Sequence, residues 1–352
     1  MMSTIWALPA VAALAANPGL LETSTAATAV VEVEPPTAPA TAPPAAPDPA
    51  IAPNLADPAT QVLELADDRQ NRYTVPVMVE GAGPFNFMID TGSQATAVTH
   101  QINGEINDGR GLTSLGTATL VGMASRRAVE IVEVDSMSFG SHTVRDIVSP
   151  VLDRQHVGAD GILGLDSLQD FRVLIDFREE TIALQDVTSS RDSRRGFEIV
   201  VRADDRLGQM LITDAHVEGE RTTVIIDTGA QASLGNIALQ ERLRAKRAQE
   251  VTATDVNGVE LTGEISTVRA LNIGGMALTN VPLTFADSPA FEALGLHDQP
   301  VIALGMQHLK LFDRVAIDFA NRRVLFDVPR DYARRLRRSI LRSRGFNAVG
   351  RD

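Results

Sequence analysis

At 352 residues, 44% of them hydrophobic, the chain has room for two lobes with ordinary cores. Its 4% aromatic content and net charge of -13 argue against a nucleic-acid surface, which needs stacking platforms and a basic face. The absence of cysteine removes disulfides, thiol nucleophiles and cysteine-ligated zinc, and leaves the compartment open.

Residues 1–33 contain an apolar run, Thr4 to Ala16, that ends in small residues as the apolar and cleavage regions of a secretory signal do. No basic residue precedes it, and it is too short to span a membrane. A plain Ala-rich terminus is the competing reading. From 34 to 61 the composition shifts: nine of the eighteen prolines lie between Pro35 and Pro58, which predicts an extended, semi-rigid tether. A signal followed by a tether makes export to a bacterial periplasm the expected location, with the cytoplasm as the alternative.

Folded protein is expected over 62–190 and again over 191–329. Tyr73 to Gly81 alternates as a half-buried strand does, and Gly81 to Pro84 turn the chain into a run that ends Phe87-Met88-Ile89-Asp90-Thr91-Gly92-Ser93. The second half opens alike. Val217-Glu218-Gly219 matches Val79-Glu80-Gly81, and the run that follows ends Val224-Ile225-Ile226-Asp227-Thr228-Gly229-Ala230. A β-rich stretch with glycine turns comes after each Asp-Thr-Gly: Leu115 to Val148, containing Val121-Gly122-Met123-Ala124-Ser125, and later Thr254 to Glu260, whose Asn257-Gly258 is a strong hairpin signal. Each hairpin is a candidate flap over a cleft.

A third block closes each half. Asp160-Gly161-Ile162-Leu163-Gly164 precedes Val173 to Phe177, and Val301-Ile302-Ala303-Leu304-Gly305 precedes Val315 to Phe319. Gly164 lies 74 positions after Asp90, and Gly305 lies 78 after Asp227. Three blocks in one order at nearly constant spacing mean an internal duplication of about 140 residues. Asp176 and Asp318 also match each other, but lack the Thr-Gly turn and read as structural, bonding turn backbone. Beyond the duplication, 330–352 carries eight Arg and two Asp, a candidate basic amphipathic helix for weak contact with an anionic membrane surface or with the acidic body of the same protein.

Chemistry follows from the doubled Asp. An apolar strand holds each one at its end, and Thr-Gly lets the backbone turn where a side chain would collide. Two such carboxyls brought together by a pseudo-twofold cannot both ionise easily, because like charges about 3 Å apart keep one proton bound. One member is then a base and the other an acid, a pair able to activate water and protonate a carbonyl oxygen with neither metal nor cofactor. The plainer use of each Asp is to cap its own turn. A serine hydrolase lacks its Gly-x-Ser-x-Gly, and the six histidines show no metal-ligand spacing.

The two Asp-Thr-Gly loops and the apolar-Gly blocks at Gly164 and Gly305 resemble the aspartic peptidases. Asp160 to Gly164 is similar to the corresponding pepsin block, and the Asp-Thr-Gly-Ala of the second half resembles the retropepsin-like branch. The resemblance covers roughly 62–329 and implies a mostly β, bilobal enzyme with one barrel-like lobe per half and a cleft between them. It makes Asp90 and Asp227 the dyad, supported by Thr91, Gly92, Thr228 and Gly229, with each Thr bonding across to the opposite lobe. Ile162, Leu163 and Gly164, and likewise Ala303, Leu304 and Gly305, would pack beneath the active loops. Ser93 stands where pepsins place a hydroxyl that bonds the neighbouring carboxylate, and Ala230 cannot do this, so Asp90 is expected to be the more readily ionised member of a pair that titrates as a unit.

The chain also departs from the family. Its only tyrosines are Tyr73 and Tyr332, so the pepsin flap tyrosine has no counterpart, and the pepsin disulfides are absent. The implied reaction is hydrolysis of peptide bonds in extended polypeptide by a monomeric enzyme. The rival is a non-catalytic peptide-binding module that has kept the fold.

Overall fold

Apolar residues recur at every second position of Tyr73–Val79, so Val75, Val77 and Val79 are buried while Pro76 faces outward. That alternation recurs along most of the strands. The computed structural model describes residues 73–186, 197, 199–206, 209–243 and 249–329, with short strand segments at 8–9, 15–16, 30–32, 60–64 and 66–67. The Pro-rich tether up to residue 59, the basic tail and most of the N-terminal apolar run lie outside the described residues.

Two sheets are built on one plan. In the first, nine strands run in the order Leu8–Pro9, Thr113–Val121, Arg126–Phe139, His142–Leu152, Ala97–Thr99, Gly161–Leu163, Ala82–Ile89, Tyr73–Val79 and Ala66–Asp67. The second repeats that order from Gln209–Val217 and Glu220–Ile226 through Val301–Leu304, Leu234–Gly235 and Met276–Phe285 to Glu260–Ile273 and Gln249–Thr254. Each sheet curls back on itself, because Arg126–Phe139 also pairs with Tyr73–Val79, and Glu260–Ile273 also pairs with Gln209–Val217. Curling of this kind leaves fewer open strand edges. The chain thus adopts the mostly β, two-lobed architecture expected from its sequence.

A six-stranded sheet joins the lobes. Its central strands, Phe171–Asp176 and Arg314–Asp318, come one from each half and pair antiparallel, Leu174 opposite Ala316. Thr181–Asp186 and Arg323–Asp327 flank them, followed by Thr60–Glu64 and Ile199–Arg202. Val173, Ile175, Val315 and Ile317 face the main core, while Leu174, Ala183, Ala316 and Leu325 form the other face, with Phe197 packed on it. Asp176 and Asp318 do structural work here. Asp176 Oδ1 accepts from the Arg178 and Glu179 amides, and the buried Asp318 binds Asn321 and the Arg323 guanidinium at 2.7 Å.

The hairpin turns repeat as well. Glu80 and Glu218 both sit in the left-handed region, at φ 51° and 49°, each followed by a glycine at positive φ. A non-glycine residue there costs roughly 1 kcal/mol. Each Glu is also tied to the long strand beside it: Glu80 Oε1 accepts from the Ser136 amide and Glu218 Oε1 from the Arg269 amide.

Gly305 has no room for a side chain, since a Cβ would lie 2.5 Å from the Ala232 carbonyl oxygen and 2.8 Å from that of Ala230. Gly104, on an exposed helix, has nothing within 4 Å. Gly305→Ala is therefore expected to cost about 3 kcal/mol or more by overpacking, against little or a slight gain for Gly104→Ala. Urea-unfolding midpoints of the two variants measure the difference.

Candidate active site

The two Asp-Thr-Gly loops are set by strand pairing before any side chain takes part. Gly161–Leu163 runs parallel to Phe87, Met88 and Ile89, and Val301–Leu304 runs parallel to Thr223 to Ile226. Those ladders continue into the loops: the Asp90 amide donates to the Leu163 carbonyl at 3.0 Å, and the Asp227 amide to the Leu304 carbonyl at 3.1 Å. The apolar-Gly blocks are thus the rails on which the acids ride. Their glycines allow the close approach, a Cβ on Gly164 lying 2.5 Å from the Ala95 carbonyl.

Both carboxyls are brought to one seam. A Cβ on Gly229 would lie 2.3 Å from Asp90 Cγ, and one on Gly92 would lie 2.7 Å from Asp227 Cγ. Each acid therefore rests against the glycine of the opposite lobe. Asp90 and Asp227 are both 0% exposed. Loop amides orient them: Asp90 Oδ1 accepts from the Gly92 amide at 2.8 Å, while Asp227 Oδ1 accepts from the Gly229 and Ala230 amides at 3.0 and 2.9 Å.

The threonines lock the lobes together. Thr91 Oγ1 donates to the Ile226 carbonyl and Thr228 Oγ1 to the Ile89 carbonyl, both at 2.8 Å. Each hydroxyl in turn accepts the other's amide, at 3.0 Å for Thr91 N to Thr228 Oγ1 and 3.3 Å for the reverse. A third tie is unsymmetrical: buried Gln209, from the second lobe, donates Nε2 to the Gly92 carbonyl at 2.7 Å.

One expectation is corrected. Ser93 Oγ donates to the Ala95 carbonyl at 2.9 Å, so its single proton is not on the Asp90 carboxylate. The reason is local, because the turn after Gly92 brings that carbonyl within reach and the hydroxyl has one proton to give. The proposed route by which Ser93 would favour ionised Asp90 is therefore absent.

A supporting layer, not picked out from the sequence, lies behind the loops. In the first lobe the Gly164 amide donates to Thr96 Oγ1, which also meets Ser167 Oγ at 2.7 Å and Asp166 Oδ1 at 2.5 Å. In the second the Gly305 amide donates to Ser233 Oγ, which meets His308 Nδ1 at 2.6 Å. The layout is shared and the chemistry is not. Burial pushes the Asp166 carboxyl above its ordinary value, against the opposing hydrogen bonds from Thr96 and Ser167. Burial pushes the His308 imidazole down to about 4.

Among the described residues no group of three or more His, Cys, Asp or Glu is placed to hold a metal, and no helix is long and apolar enough to cross a membrane. A family model described as aspartyl protease matches residues 75–167 and 213–308, together more than half of the chain and one match per lobe. No curated protein matches the chain.

The His308 shift fixes a pH response. Its folded-state value is depressed from 6.5 to about 4, so its contribution is intact above 6.5 and is lost as pH falls toward 4, when the unfolded chain takes up a proton that the folded one refuses. The loss amounts to about 3 kcal/mol at most. His308→Gln is expected to flatten the fall in the urea-unfolding midpoint between pH 7 and 4.5.

Proposed function

We propose, from the premise that this chain belongs to the aspartyl protease family, that it is an endopeptidase in which Asp90 and Asp227 form the catalytic dyad. The observation that carries this reading is reciprocal placement. Each acid lies against the other lobe's glycine, in a loop whose Thr hydroxyl is bonded to the carbonyl just before the opposite acid.

Two carboxyls confined to one seam hold a proton between them more readily than either would alone. The ionised member takes a proton from an attacking water, and the protonated member donates to the carbonyl oxygen of the scissile bond. The new C–O bond forms as the carbonyl π pair moves to oxygen, giving a tetrahedral gem-diol. Its collapse breaks the C–N bond, with the proton passing to the leaving nitrogen. Tight turns at Gly92 and Gly229 keep the acids rigid, so little geometry has to be found during the reaction.

The substrate class follows from the surroundings. Long β-hairpins rise from each lobe, and a strand-like segment can add main-chain hydrogen bonds to such edges, as Leu8–Pro9 does along Leu120 and Val121 of the first. An extended polypeptide fits that setting, whereas a helix has its backbone groups already satisfied.

Incubation with unfolded casein from pH 3 to 8, with and without pepstatin, tests the reading. Asp90→Asn and Asp227→Asn are each expected to lower cleavage by about 1,000-fold or more, since acid–base catalysis contributes 10²–10⁴-fold per group, while thermal unfolding shows both variants still folded. Retained cleavage in either variant would contradict the dyad. Absence of cleavage by the wild type at every pH, with extended peptide still bound, would favour the non-catalytic binding module.

A further inference from the structure

The two active loops match closely in their backbone bonding and then part at one peptide group. In both, the glycine amide donates to the acid, Gly92 to Asp90 Oδ1 at 2.8 Å and Gly229 to Asp227 Oδ1 at 3.0 Å. In both, the carbonyl of the residue after that glycine accepts from the short helix behind: Ser93 from the Leu165 amide at 2.9 Å, Ala230 from the Met306 amide at 2.8 Å. Between these matched points the loops differ. The Ala230 amide lies on the Asp227 carboxylate at 2.9 Å, whereas the Ser93 amide turns to the main-chain carbonyl of Asp90 at 3.3 Å.

The difference falls where Gln209 reaches across from the second lobe. Fully buried, it donates Nε2 to the Gly92 carbonyl at 2.7 Å. A peptide group is planar, with its N–H directed opposite to its C=O, so a grip on the Gly92 carbonyl also aims the Ser93 N–H. The other end of the side chain is idle: Gln209 Oε1 is buried with no hydrogen-bond partner among the described residues. An orphaned buried acceptor costs stability, so what this amide contributes is its donor at Gly92.

We propose that Gln209 is a positioning residue that polarises the dyad: by holding the Gly92–Ser93 peptide it keeps the Ser93 amide off the Asp90 carboxylate, which makes Asp227 the base and Asp90 the acid. The proposal rests on the peptidase reading of the site and reverses the order expected from the Ser93 hydroxyl. Hydrogen bonds to a carboxylate favour its charged form, and of the loop amides two lie on Asp227 Oδ1 and one on Asp90 Oδ1. Asp227 then takes the proton of the attacking water while Asp90 gives its own to the carbonyl oxygen that receives the π pair. Titratable groups in the surrounding elements are engaged elsewhere. Asp166 is bonded to Thr96, His308 to Ser233, and Asp255, at the tip of the second hairpin, to Ala124 and Ser125 of the first. None of these bonds reaches either dyad carboxyl.

Gln209→Met removes the donor and the orphaned acceptor at similar volume. Released, the Ser93 amide can fall on Asp90 as its twin does on Asp227, a bond that favours ionisation about tenfold. It stabilises the doubly ionised pair in full, but the singly ionised pair only by giving its charge a second, equal place. The alkaline limb of kcat/KM is therefore expected to move down by about 0.7 pH unit and the acid limb by about 0.3. The alkaline limb is the cleaner readout, because His308 titrates at about 4. Carboxyl-13C aspartate NMR, with the two signals assigned by Asp90→Asn and Asp227→Asn, reads the polarity without catalysis. Between the two ionisations of the pair, wild type should show Asp227 as carboxylate and Asp90 as acid, and Gln209→Met should draw the two signals together. Charge on Asp90, or shared evenly, in the wild type would overturn the polarity. Signals and alkaline limb left in place by Gln209→Met would overturn the role of Gln209. Failure of the peptidase reading registers separately, as absence of cleavage by a wild type whose carboxyl signals are still polarised.

Discussion

Neither active loop is complete without the other lobe. Thr91 and Thr228 are both buried, and a buried hydroxyl or amide without a partner costs about 1–3 kcal/mol. The partners that answer this need lie across the seam: each hydroxyl donates to the carbonyl immediately before the opposite Asp and accepts the opposite Thr amide. The position of one acid is thereby tied to the backbone of the other. The two acids are thus held in place by hydrogen-bond satisfaction across the seam, and the six-stranded sheet, whose central strands come one from each half, joins the two lobes.

Duplication preserved the backbone plan while its side chains drifted. The amide of the apolar-Gly block is met by Thr96 in one lobe and Ser233 in the other, and the next partner is an Asp166–Ser167 pair in one and a neutral histidine, His308, in the other. What is held constant is a hydroxyl acceptor at one point in space. The two solutions answer acid in opposite senses. A raised carboxyl such as Asp166 favours the folded state below its unfolded value of 3.8 and loses that contribution as pH rises, whereas the depressed His308 loses its contribution as pH falls.

Much of this was legible in the sequence because it is repeated. The paired Asp-Thr-Gly loops, the Val-Glu-Gly turns and the apolar-Gly blocks each appear twice at matched spacing, and a backbone requirement shared by both halves leaves the same mark in both. Asp176 and Asp318 were separable from the dyad for a local reason, since they lack the Thr-Gly turn. What was missed is unrepeated. Asp255 has no sequence partner marking it, because its second carboxylate oxygen meets Ala124 and Ser125, about 130 residues away in sequence. Gln209 reaches Gly92 from a strand that otherwise reads as ordinary core. Ser93 misled because a hydroxyl three residues beyond a carboxylate can be claimed by a nearer carbonyl, and Ala95 supplies one. Fold is carried by patterns, while single long-range hydrogen bonds are carried by the folded geometry alone.

The measurement that bears most directly on the reciprocal lock is a double-mutant cycle on folding stability with Thr91→Val, Thr228→Val and the double variant. If the hydroxyls act as one cross-lobe unit, the second substitution costs less than the first, with a coupling of about 1 kcal/mol or more. Additive losses, equal within about 0.5 kcal/mol, would mean that each lobe satisfies its own loop and would contradict the account.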